Sequence, residues 1–112
     1  MVDESAATRL MVFLTEDDRI GHHSVAEALL ERARDAGLAG ATIWRGSEGF
    51  GPSGHLRAER LPDLARGLPL VVEVIDVEER ITNFLPIVRE IAAGALVTTE
   101  VVRVARSSTP KS

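Results

Sequence analysis

The distribution of apolar and polar positions divides the chain into six main elements. Compact apolar runs rich in β-branched residues predict strands over residues 9–14, 40–45, 68–76 and 95–104. Between them, apolar residues spaced as on one side of a helix predict helices over about 23–36 and 77–93. The predicted order is strand, helix, strand, strand, helix, strand.

Local signals place the ends of both helices. Ser24 is the expected N-cap of the first helix, with Glu27 as its capping-box partner, and Gly37 ends it. Asp76 is expected to cap the second helix. The predicted apolar side of the first helix holds Val25, Ala28, Leu29, Arg32 and Ala36, widened by Leu30 and Ala33. That of the second holds Ile81, Phe84, Leu85, Val88 and Ile91.

This order of elements predicts an α+β fold, namely a ferredoxin-like βαββαβ sandwich. In that fold, an antiparallel four-stranded sheet carries two helices on one face. The strand at 68–76 has apolar residues on both faces, so the uncovered face needs another partner, for which a second copy of the chain is the simplest candidate. We expect a folded domain over residues 8–106, with disordered ends at 1–7 and 107–112.

Composition narrows the class of protein. The 112 residues fit one domain, and the absence of cysteine excludes disulfides and thiolate metal sites. A net charge of -4 and an aromatic content of 4% argue against nucleic-acid binding. No apolar run approaches the roughly 20 residues of a membrane span, and the acidic N-terminus does not resemble a secretory signal. We therefore expect a cytoplasmic protein.

A glycine-rich segment, residues 46–55, is the main candidate for function. It contains four of the nine glycines, Gly46, Gly49, Gly51 and Gly54, and has no helical or strand period. Such a loop can turn successive backbone N–H groups toward an anion. It is equally typical of a hairpin loop that binds nothing, with residues 55–61 as the returning arm.

Other polar clusters suggest weaker hypotheses. The acidic turn at residues 16–18 follows a core strand and is either a functional loop or a plain connection between a strand and a helix. His22 and His23 are adjacent without a third ligand placed by the pattern, so no metal site is predicted. A small enzyme could use His55 as a base with Glu48 or Asp17. No nucleophile motif, metal triad or paired-carboxylate spacing supports this alternative, and we expect no enzymatic activity.

Taken together, the motifs resemble those of the DUF190 family, a branch of the nitrogen-regulatory PII superfamily. The resemblance spans about residues 9–105. It rests on Gly40-Ala41-Thr42, Arg45-Gly46, Gly49-Phe50-Gly51, Ser53-Gly54, the run at 68–76 and Leu85-Pro86, in this order. The acidic turn at residues 16–18 also fits.

The resemblance implies a homotrimer of ferredoxin-like subunits that acts as a signalling protein. Its ligand would be a small anionic metabolite, in PII relatives an adenine nucleotide, bound in the clefts between subunits; no other cofactor is expected. The loop would report the ligand to a target such as a membrane transporter. The resemblance implies that Gly49, Phe50, Gly51, Gly54 and His55 contact the ligand. Arg45, which could supply positive charge for a phosphate, and Gly46 and Ser53 of the glycine-rich segment complete the expected set of ligand-binding residues. The chain lacks tyrosine, which excludes uridylylation at tyrosine. A related alternative is a metal-linked CutA-like trimer using His22, His23 and His55.

Overall fold

The computed structural model describes residues 2–107 and contains the predicted elements in the predicted order. The first strand, β1, spans Val2–Thr15 and is followed by two short strands, β2 (Arg19–Ile20) and β3 (His23–Ser24). Helix α1 spans Val25–Asp35 and β4 spans Gly40–Arg45. The short strands β5 (Glu48–Gly49) and β6 (Arg57–Ala58) precede a single 3-10 turn at Pro62–Leu64. Strand β7 (Pro69–Asp76), helix α2 (Glu78–Ile91) and strand β8 (Leu96–Ser107) complete the fold.

Four strands form one antiparallel sheet in the order β4-β7-β1-β8. Two smaller hairpins, β2 with β3 and β5 with β6, lie outside it. Both helices pack on the same face, where buried strand residues meet buried helix residues. This confirms the predicted α+β class and the ferredoxin-like arrangement.

The core forms because each strand and each helix places its apolar residues on one side, at the spacing typical of that kind of element. Strand β7 alternates between half-buried and buried residues along its length, so its even-numbered residues face the helices. The largest fully buried side chains are Leu10, Leu29, Ile81, Val12, Val72, Val74 and Val88. Burying each of them contributes about 1.5–3 kcal/mol.

Helix α1 begins as predicted, but its buried side differs from the predicted one. The Ser24 hydroxyl accepts a hydrogen bond from the backbone N–H of Glu27 at 3.3 Å, which confirms the N-cap. The buried residues of α1 are Val25, Ala26, Leu29 and Ala33. Arg32 and Ala36 are exposed, so the predicted apolar side was rotated toward solvent. Two residues expected at the helix start, His23 and Ser24, belong instead to β3.

Residues 2–7, for which disorder is expected from the sequence, are extended in the structure. They continue β1 and pair with β8, from Val2 opposite Ser107 to Ala7 opposite Val102. These acidic and small residues show little strand propensity, but an extended β8 offers them a ladder of backbone hydrogen bonds. At the other end, Ser107 closes β8. The rest of the predicted C-terminal tail, residues 108–112, and Met1 lie outside the described residues.

The face of the sheet that carries no helix bears a row of apolar side chains that runs across the strands. Strand registers place Trp44 beside Val71, Val71 beside Phe13, and Phe13 beside Leu96, so one apolar row crosses all four strands. We call these four residues the apolar row. Trp44 is 56% exposed, Leu96 64% and Phe13 38%. The next row on this face, Thr42, Glu73, Met11 and Thr98, is more polar, and the row after it carries a cross-strand ion pair between Arg9 and Glu100.

Candidate functional site

The glycine-rich segment begins at Gly46, two residues beyond Trp44 of the apolar row and directly after the end of β4. Its backbone is attached to the start of β7, because the N–H of Gly46 donates to the carbonyl of Pro69 at 2.8 Å. Farther along, β5 pairs with β6, and the N–H of Glu59 donates to the carbonyl of Ser47 at 2.8 Å. Residues 46–59 therefore form a small hairpin beside the sheet, with residues 50–56 as its exposed tip. The returning arm at 55–61 predicted from the sequence is found, although only Arg57 and Ala58 are strand.

The four glycines of this hairpin differ in the structural requirement that each one meets. A Cβ on Gly46 would lie 3.3 Å from Cβ of Pro69, and one on Gly49 would lie 3.2 Å from Cγ of the same proline. Both contacts are tighter than normal packing allows, so these two glycines permit the hairpin to lie against Pro69. Gly54 adopts a φ of +76°, which favours glycine. Gly51 has neither constraint, since a Cβ there would meet nothing within 4 Å.

The tip of the hairpin is a tight turn. The N–H of Gly54 donates to the carbonyl of Gly51 at 2.9 Å, with Pro52 in the second position that proline favours in such turns. The hydroxyl of Ser53 accepts from the N–H of His55 at 3.3 Å. Phe50 is 72% exposed at the base of the turn. Among the residues implied as ligand-binding, Gly46, Gly54 and His55 thus use their N–H groups within the protein.

Charged side chains surround the base of the hairpin. Nη2 of Arg45 lies 2.8 Å from Oε1 of Glu59, and Nη1 of Arg45 lies 3.8 Å from Oε2 of Glu16. A second pair joins Nε of Arg60 to Oε1 of Glu48 at 3.2 Å. The predicted returning arm brings Glu59 and Arg60 near the segment, but no sequence signal pairs Glu59 with Arg45 or places Glu16 beside it, because Glu59 follows Arg45 by 14 residues and Glu16 lies at the end of another strand.

The acidic turn at residues 16–18 supports the site structurally. Glu16 accepts the N–H of Leu68 on Oε1 at 2.9 Å, and its own N–H donates to the Leu68 carbonyl at 3.0 Å. Asp18 accepts the N–H of Thr15 at 2.7 Å. Asp17 covers Gly67, where an added Cβ would lie 2.4 Å from Oδ2 of the aspartate. The turn therefore positions the start of β7, on which the hairpin rests.

The histidines do not converge on a metal centre within residues 2–107. All three, His22, His23 and His55, are exposed. Among the described residues, no group of three or more His, Cys, Asp or Glu side chains is placed to hold a metal ion. Within the same part of the chain, no helix has the length and apolar character needed to cross a bilayer.

Comparison with known proteins identifies relatives and similar folds. The DUF190 family model, described as "Uncharacterized ACR", matches residues 7–104. A UPF0166 protein of Aquifex aeolicus (strain VF5) is 42% identical over 76 residues, which is 68% of this chain and 72% of the relative.

Solved structures with the same fold include PII-like proteins. CPII of Thiomonas intermedia K12, bound to ADP and bicarbonate, superposes with a TM-score of 0.62 at 20% identity, covering 91% of each chain. A putative PII-like signaling protein of Thermus thermophilus gives 0.61 at 21% identity, covering 92% of this chain and 91% of the other. CutA of Synechococcus elongatus PCC7942 gives 0.62 at 16% identity, covering 96% and 86%.

At these identities the structural matches establish the fold, while the family rests on the sequence match over nearly the whole chain. The resemblance noted from the motifs is confirmed on both grounds. The chain is a member of the DUF190 family with a PII-like, ferredoxin-like fold.

Proposed function

We propose that this protein is a non-enzymatic, homotrimeric sensor of a small anionic metabolite, with an adenine nucleotide as the favoured ligand. The ligand binds in clefts between subunits, beside residues 45–60. Its binding changes the surface of this hairpin, which a target protein such as a membrane transporter reads.

The observation that carries this proposal is the position of the apolar row relative to the hairpin. Trp44 ends the row on β4, Arg45 follows it directly, and Gly46 opens the hairpin. Burial of the row against other copies removes exposed apolar surface from water. It also brings a neighbouring subunit to the end of the sheet where Arg45 and the glycine-rich segment lie. A cleft between subunits at this end combines a guanidinium with closely approachable backbone.

The ligand class follows from the groups available at this end. Arg45 offers a planar set of donors that suits phosphate or carboxylate. Gly51 leaves the backbone open to close approach by a ligand, because nothing in the fold occupies the space of its missing side chain. The bound ADP of the structurally similar CPII adds support for a nucleotide.

Isothermal titration calorimetry with ADP, AMP and ATP tests the proposal on the wild type and two valine variants. Gly51→Val places a side chain where the ligand is proposed to approach. Gly40→Val is the matched control, because its Cβ also meets nothing within 4 Å and it lies at the opposite end of β4. We expect Gly51→Val to weaken nucleotide binding at least about tenfold, roughly 1.4 kcal/mol, with an unchanged melting temperature.

Two results contradict the proposal. One is the absence of binding heat for all three nucleotides with the wild type. The other is equal affinity of the wild type and Gly51→Val, which removes the segment from the site. Gly40→Val should bind as the wild type does.

A further inference from the structure

The guanidinium of Arg45 is already occupied by carboxylates of its own chain. Glu59 holds Nη2 at 2.8 Å, and Glu16 lies 3.8 Å from Nη1. The two acids differ in how they are held. Glu16 is fixed by reciprocal hydrogen bonds with the backbone of Leu68. Glu59 reaches Arg45 from the returning arm of the hairpin, so its position depends on the conformation of that arm.

The contact between Arg45 and Glu59 closes the hairpin at its base. Arg45 is the last residue of β4 and Glu59 directly follows β6, so the ion pair joins the two ends of the hairpin. It acts together with the β5–β6 pairing, the hydrogen bond from the N–H of Glu59 to the carbonyl of Ser47, and the ion pair between Arg60 and Glu48. An anion that takes the guanidinium from Glu59 therefore removes one of the contacts that hold the returning arm.

We propose that Glu59 is an internal competitor of the ligand, and that displacement of its carboxylate from Arg45 by a phosphate group loosens the returning arm at its base. This inference rests on the proposed function, because it assigns to the anion the guanidinium that Glu59 holds in this structure. Glu59 then becomes a free negative charge on the surface that a target protein meets. Ligand occupancy is thereby converted into a change in both order and charge of the hairpin.

The chemistry and the exposure of the pair make this exchange feasible. Guanidinium binds phosphate and carboxylate through the same fork of N–H donors, and a phosphate monoester carries the larger negative charge. The Arg45 and Glu59 side chains are each 53% exposed, so water and salt compete with their pairing. Exposed ion pairs change an equilibrium by only about two- to fivefold, which a bound nucleotide can exceed.

A matched set of glutamine variants tests the competition. Glu59→Gln removes the competing charge and keeps the shape. Glu48→Gln makes the same change in net charge on the same hairpin, at a residue paired with Arg60 rather than Arg45. By ADP calorimetry at low salt, we expect Glu59→Gln to bind about two- to fivefold more tightly than the wild type. Glu48→Gln should bind as the wild type does.

A double-mutant cycle locates the effect at Arg45. In an Arg45→Gln background, Glu59→Gln should no longer tighten ADP binding, because the group for which the two anions compete is gone. Equal tightening by Glu48→Gln and Glu59→Gln would overturn the inference in favour of a general charge effect. Unchanged or weaker binding of Glu59→Gln would overturn it as well.

Hydrogen exchange separates failure of this inference from failure of the proposed function. Without nucleotide, Glu59→Gln and Arg45→Gln should raise exchange at the amide of residue 59 by about the same factor, since both break one contact. Saturating ADP should raise it in the wild type too. Unchanged exchange in both variants overturns the proposed loosening of the returning arm even if ADP binds. Absence of ADP binding in every variant overturns the proposed function, and the competition with it.

Discussion

Replacement of Leu96 by glutamate is the most direct test of how the open face of the sheet is used. Leu96 ends the apolar row on β8 and is 64% exposed in the single chain. Full burial of a leucine contributes about 1.5–3 kcal/mol, so burying the exposed remainder contributes about 1–2 kcal/mol per subunit. A glutamate there adds several kcal/mol of cost, because its charge would lose water without gaining a partner.

The matched control is Val101→Glu on the same strand. Val101 is 77% exposed and lies opposite Thr8, on the helix-bearing face of the sheet, where it borders a groove with Ile81 and Leu85 of α2. Both substitutions add the same charge to exposed positions of β8. Only Leu96→Glu alters the face that carries the apolar row.

Size-exclusion chromatography with light scattering at micromolar concentration provides the measurement. We expect the wild type and Val101→Glu to show about three times the 12.1 kDa chain mass, and Leu96→Glu to show one chain mass. Circular dichroism should show the same secondary structure for all three. A monomeric wild type, or equal dissociation of both variants, would refute the assignment of this face as the contact between subunits.

Substitutions at three positions test the local contacts by urea unfolding at a fixed protein concentration. Asp76→Ala should lower the free energy of unfolding by about 1–3 kcal/mol, because Asp76 is 8% exposed and accepts the N–H of Ala39 at 2.9 Å. A loss below about 0.5 kcal/mol would show that this buried hydrogen bond does not stabilise the fold. Ser24→Ala should cost about 1 kcal/mol through loss of the N-cap, while Ser24→Asn should be nearly neutral. Gly67→Ala should lower the free energy of unfolding by at least about 1–2 kcal/mol, because the φ of Gly67 is +66° and Asp17 occupies the space of the added Cβ. An unchanged urea midpoint would show that the backbone and the Asp17 side chain can relax around the alanine.

Local sequence patterns were sufficient for the two helices and for the central parts of the four main strands, because period and propensity depend on neighbouring residues. The expected cap at Asp76 is wrong: Val77 is the N-cap of α2, and Asp76 instead accepts the N–H of Ala39. Compact apolar runs placed β4 and β7 to within a residue, and the serine cap placed the start of α1 to within two. The buried side of α1 was harder to predict, because alanine at position 26 or 28 fits either side. Only packing against the sheet selects Ala26, which is buried, over Ala28, which is half-buried.

The N-terminal part of β1 illustrates a different limit. Residues 2–7 carry no strand signal of their own, and their extended conformation depends on β8, about 100 positions away in the chain. The register with β8 is a property of two strands together. A local sequence pattern therefore cannot predict this register.

The candidate site could likewise be predicted only in part from the sequence. The run of glycines marked the hairpin, since glycine is selected by backbone conformation and close approach, both of which are encoded at the residue itself. Whether a glycine serves packing or leaves space for a ligand depends on what lies opposite. Pro69 lies opposite Gly46 and Gly49, and nothing lies opposite Gly51.

The sequence by itself therefore determined the order of elements, the fold class, the family and the segment that merits testing. The elements and the fold class follow from the period and propensity of residues that are neighbours in the chain, whereas the family follows from motifs matched along most of its length. Tertiary structure alone decided that Trp44, Val71, Phe13 and Leu96 share one row, and that Glu59 holds the guanidinium of Arg45. Those contacts join residues far apart in sequence, and they exist only once strand register and hairpin geometry are set by the packed fold.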